Sequence, residues 1–143
     1  MLAGPLTPPE RELFARPIDP ISIRLLGSVE RERALGLQRA ADALLLLAQP
    51  TRSQLVNFKL FEYLAAGRPI LALAAGTEAG RLAADAGVEP IVAADDPFAI
   101  AAALARLAVD GLSEPDPGAA GRYLYPGAAE QMLAAVERAI AAR

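Results

Sequence analysis

The chain of 143 residues contains no cysteine and no histidine, and Lys59 is the sole lysine among its 14 basic residues. Without Cys and His there is no disulfide, thiolate nucleophile, Cys/His zinc site or imidazole general base. No metal site and no cofactor is expected. The arginines are scattered along a chain of net charge -3, and the basic stripe that a nucleic-acid groove requires is missing. Long apolar runs are missing too: "ALLLLA" and "PILALAA" are strand-sized, against the roughly 18 to 20 residues of a membrane helix. The opening "MLAGPLTPPE" has no cationic segment followed by an apolar one, so no signal peptide is read and a cytoplasmic location is expected.

What the chain does contain is globular in kind, 54% hydrophobic and 22% charged, with alanine and leucine prominent. Its length suits one compact domain over residues 1–143. Apolar runs of strand length alternate with helical patterns almost throughout, which predicts an α/β fold with a parallel sheet. Strands are expected near Leu2 to Ala3, Ile21 to Leu26, Ala43 to Ala48, Ile70 to Ala74 and Pro90 to Ala93. Their unbroken apolarity predicts cover on both faces.

Helix ends are legible. Thr7 and Pro8 open the first helix, Glu30 to Ala41 forms the second, and Gly67 closes the third. The fourth runs from Thr77 to about Ala86, with Gly87 as its stop. Asp95, Asp96 and Pro97 open the fifth, which should bury Ile100, Leu104 and Leu107. The Pro/Gly-rich stretch from Gly111 to Gly127 reads as a loop, and a last helix runs from about Ala128 to Ala141.

In a parallel sheet, ligands bind beyond the carboxyl ends of the strands. The loop "QPTRSQLVN", Gln49 to Asn57, has that position and leads into "FKLFEYLAAG". Asn57 would cap the helix that follows, leaving its first N–H groups aimed outward, where an anion is welcome. On that helix Leu60, Phe61 and Leu64 share one side, and Lys59, Glu62, Tyr63 and Ala66 the other. Lys59 and Glu62 are neighbours at i, i+3, and two readings stand side by side. One is a surface ion pair contributing about 0.2 to 0.5 kcal/mol. The other is a ligand site: a lysine in the first turn opposes the helix dipole, and a bound phosphate removes that conflict. Asp42, Asp95, Asp96 and Thr77 read as turn or cap residues, and Tyr123 and Tyr125 as anchors of a loop on the core.

The segments "LGSVERERALGLQRAADALLLL", "KLFEYLAAGRPILALAAGTEAGRL" and "AGVEPIVAADDPFAIAAALARL" resemble, in order and spacing, the C-terminal domain of family 4 type glycosyltransferases of the GT-B fold. The likeness covers roughly Ile21 to Leu107. It implies a Rossmann-like parallel sheet with helices on both faces, binding a nucleotide-sugar donor such as a UDP- or GDP-sugar. In that family the second of two glutamates eight positions apart holds the ribose hydroxyls, and Glu62 matches it; the first falls on Gln54, so the pair is broken. Gln54 can still hydrogen-bond a sugar hydroxyl without supplying the carboxylate's charge, and Ser53, Asn57 and Lys59 complete the expected substrate-binding set, with no catalytic residue assigned.

The family domain usually opens with a further strand-helix unit and follows an N-terminal acceptor-binding domain. Against that pattern this chain holds an incomplete GT-B C-terminal domain, and its expected partners are a missing N-terminal half or a second copy of itself. Two alternatives stand beside the glycosyltransferase reading: a non-enzymatic, degenerate module docking on another chain, and a fragment of a sugar-nucleotide epimerase.

Overall fold

The computed structural model describes residues 1–15, 23–48 and 58–141. It divides into two units, Met1–Leu37 and Gln38–Arg143.

In the first unit Thr7 initiates helix α1 (Pro8–Phe14). Its backbone N–H and its hydroxyl both donate to the Glu10 carboxylate at 2.7 Å, which holds that carboxyl below its usual range. Of the two strands expected here, the described residues retain one parallel bridge, Leu2 to Leu25. Leu2 N–H donates to Arg24 O at 2.9 Å and Leu26 N–H to Leu2 O at 2.9 Å. Ile21 and Ser22 lie outside the described residues. Helix α2 (Arg31–Ala40) begins in this unit, and its last turn, from Gln38, belongs to the second.

The second unit is built on a parallel three-stranded sheet in the order β1 (Leu44–Leu47), β2 (Ile70–Leu73), β3 (Ile91–Val92). Register pairs Leu47 with Leu73 and Leu73 with Val92, so the three carboxyl ends form one edge. The crossovers are α3 (Phe58–Ala66) and α4 (Glu78–Asp85). Successive parallel strands laid down in one direction by right-handed crossovers place both helices on the same face. The packing agrees: Leu60 and Leu64 of α3 and Ala83 of α4 join Leu44, Leu46, Ile70 and Ala72 in one apolar cluster. On the opposite face Leu71 and Leu73 pack with Ala103 and Ile100 of α5 (Pro97–Val109).

Cover on both faces holds for β2, all four of whose residues are buried. It fails for β1, where Leu44 and Leu46 are buried but Leu45 and Leu47 are 45% and 55% exposed. Leu45 and Leu47 align with Leu71 and Leu73, the β2 leucines that pack on α5.

Three further expectations are corrected. In α5 Ala103 is buried and Ile100 and Leu107 are half-buried, while Leu104 is exposed, because the i, i+3, i+7 row through the small Ala103 allows closer approach to the sheet than one through Leu104. The stretch from Gly111 to Gly127 contains a short helix, α6 (Pro117–Gly121), started by Pro117 and by Asp116, whose carboxylate accepts from Gly118 N–H at 2.9 Å. Tyr63 is turned inward rather than to solvent and packs against the α3 side of the core. A final helix, α7, spans Gly127–Ala141. Among the described residues no helix is long and apolar enough to cross a membrane.

Candidate functional site

Helix α3 follows the carboxyl end of β1, so its first turns lie at the edge of the sheet where the three strand ends meet, as do the starts of α4 and α5. The last two starts are already satisfied by side chains. Thr77 accepts from Gly80 N–H at 3.1 Å and donates to Ala74 O at 2.7 Å; Asp96 accepts from Phe98 and Ala99 N–H at 3.0 and 2.9 Å. Both residues therefore act as caps.

At α3, Ser53, Gln54 and Asn57 lie outside the described residues, and the pair Lys59 and Glu62 is the part of the expected site that can be located. Lys59 Nζ donates to Glu62 Oε2 at 3.0 Å, with the lysine side chain 54% and the glutamate 25% exposed. Leu60 and Leu64, buried on the other side of α3, fix the rotation of the helix that presents them. No acidic residue occupies the first turn, so Lys59 stands at the positive end of the helix dipole.

The residue that sequence reasoning missed is Gln38. It sits in the last turn of α2, is 9% exposed, and its Nε2 donates to the same Glu62 Oε2 at 3.2 Å. Its Oε1 is buried without a hydrogen-bond partner. Amide orientation follows from the network: turned over, Oε1 would face the carboxylate. A signal did exist, since Gln38 stands three and four residues after Leu35 and Ala34, both partly buried, so a polar residue occupies an apolar row.

Tyr63 borders this group. Burial pushes its phenol above the usual range, with Lys59 opposing and Glu62 adding to the shift. Tyr123 performs the anchoring role expected of it: its ring centroid lies 6.3 Å from that of Phe61, and its hydroxyl donates to Asp85 Oδ2 at 3.2 Å. Tyr125 does not, being 88% exposed. The other polar cluster, Arg81 with Glu78 at 2.6 Å and Asp85 at 2.8 Å, is exposed and lies along one helix face at i, i+3 and i, i+4, the arrangement of a solvated α-helical ion-pair row.

Comparison with family models, with curated proteins and with solved structures gave no match.

Proposed function

We propose that this chain supplies the nucleotide-sugar donor-binding part of a glycosyltransferase, in a GT-B type C-terminal domain. The observation that carries the reading is the arrangement on α3, the helix that follows the carboxyl end of β1: its central carboxylate is held by the Nζ of a lysine and the Nε2 of a buried amide. A solvated ion pair needs no buried third member. In this reading Glu62 accepts hydrogen bonds from the ribose diol, and Lys59 with the start of α3 receives the diphosphate. Positive charge there stabilises the nucleoside diphosphate as it departs from the sugar. Ser53, Gln54 and Asn57, which lie outside the described residues, are assigned to the donor from the sequence alone.

Isothermal titration of the chain with UDP and GDP tests the assignment. Glu62→Ala is expected to weaken binding by about 1.5 to 3 kcal/mol, the range for a hydrogen bond to a charged group, which is roughly tenfold to 150-fold in Kd. Lys59→Ala is expected to weaken the diphosphates more than the nucleosides. If both variants bind every nucleotide like the parent, the pair is a surface salt bridge and the site assignment fails.

A second reading, a module that docks on another chain, is favoured by a specific observation. Leu45 and Leu47 on β1 and the stripe Met132, Leu133, Val136, Ile140 on α7 are exposed, and clustered apolar surface of this kind marks contact sites. Absence of nucleotide binding by the parent, together with reversible association, would select it.

A further inference from the structure

Position 38 contradicts its surroundings. A glutamine that is 9% exposed, with one amide group engaged and Oε1 buried unpartnered, is an expensive residue, because an unmade buried hydrogen bond costs the desolvation of the group. Methionine or leucine would fill a similar volume with no polar atom to satisfy. The polar group that compensates is the donor on Nε2, and its partner is Glu62 Oε2. Polar residues retained at a local loss of stability are the observation from which a functional role is properly inferred.

From this we infer that Gln38 is a positioning residue: it fixes the Glu62 carboxylate, from the side opposite to solvent, in the orientation in which that carboxylate receives a vicinal diol. The inference rests on the reading of Glu62 as the ribose-binding group. Lys59 cannot perform the task alone. Its side chain is 54% exposed and carries several rotatable bonds, so it neutralises the carboxylate without fixing its plane. Gln38 approaches the same Oε2 from a different helix and is buried, so it anchors that oxygen from a fixed direction that the exposed lysine does not supply. A ligand meeting a preset carboxylate loses less in ordering it.

The test separates positioning from packing. Gln38→Met removes the donor and the unpartnered oxygen at nearly constant volume. Its thermal midpoint should be unchanged or raised, while its Kd for UDP or GDP rises about fivefold or more, the equivalent of one lost hydrogen bond. The 2′,3′-dideoxy forms of the same nucleotides, which have no diol for Glu62 to hold, should bind parent and variant alike. Gln38→Asn, which keeps an amide but withdraws it by one methylene, should weaken UDP or GDP in the same selective way and serves if the methionine variant fails to fold. A lowered midpoint with equal weakening of ribose and dideoxy ligands would make Gln38 a packing residue and overturn the inference. Normal binding by both Gln38 variants beside a weakened Glu62→Ala would overturn it while leaving the proposed function intact. Parent-like binding by Glu62→Ala as well would remove the proposed function itself, and the inference with it.

Discussion

Gly80 stands where α4 meets the end of β2, and a Cβ built there would collide with the carbonyl oxygen of Ala74. That oxygen already accepts from the Thr77 hydroxyl at 2.7 Å and from Thr77 N–H at 3.1 Å, so neither the strand end nor the cap can retreat. Gly80→Ala is therefore expected to destabilise the fold by about 1 to 3 kcal/mol, the usual cost of overpacking, seen as a lower urea midpoint at constant slope. A midpoint equal to the parent's would show that α4 can slide along the strand. Tyr63 offers a second residue-scale test. Burial raises its phenol above 10.0, so the folded chain holds that proton more tightly than the unfolded one. Stability is unaffected by this group below the unfolded value and declines as pH rises from about 10 toward the folded one. Tyr63→Phe should flatten the alkaline limb of a stability profile; an unchanged limb would assign it to other groups such as Tyr123, whose phenol is also raised by desolvation.

At the scale of elements, the parts that were legible in the sequence are those with a local cause. Thr77 and Asp96 announced helix starts because a side-chain oxygen before an apolar-periodic run has one inexpensive use. Gly67 and Gly87 announced ends, and they take φ of +64° and +75°, where a side chain would be strained. The apolar runs located β1, β2 and β3 to within one or two residues at each end. What was not legible depends on a second element. The α5 stripe was misplaced because Leu104 is the more apolar choice by composition, whereas Ala103 is the better fit to Leu71 and Leu73. β1 looked fully covered because an apolar run does not record which side its neighbours occupy. At the site, Lys59 and Glu62 share one helix and could be paired from spacing, but Gln38 lies 24 residues before Glu62 and meets it through the fold alone. The element-scale prediction follows from the β1 pattern: Leu46→Ala should cost about 2 to 5 kcal/mol as a buried truncation, and Leu45→Ala under about 1 kcal/mol. Equal losses on denaturant unfolding would mean that the outer face of β1 is covered in solution.

For the whole molecule, the two units differ in what holds them. All the described buried residues belong to Gln38–Arg143, and none to Met1–Leu37. Among its described residues the first unit has one bridge, the short helix α1 and the greater part of α2. No buried residue stands among those described there, and local opening is easiest where few apolar contacts oppose it. β2 is the opposite case: it is central in the sheet, all of its residues are buried, and both apolar clusters are built on it. Native-state hydrogen exchange should accordingly rank the amides in a definite order. Those of Leu71, Ala72 and Leu73 should exchange only through global unfolding and shift with denaturant along the full slope of the transition. The amides of Leu2 and Leu26, although hydrogen-bonded at 2.9 Å, should exchange through local fluctuation with almost no denaturant dependence. A protein in which Leu2 and Leu26 are protected as strongly as Leu71 and Leu73 cannot have its core confined to the second unit.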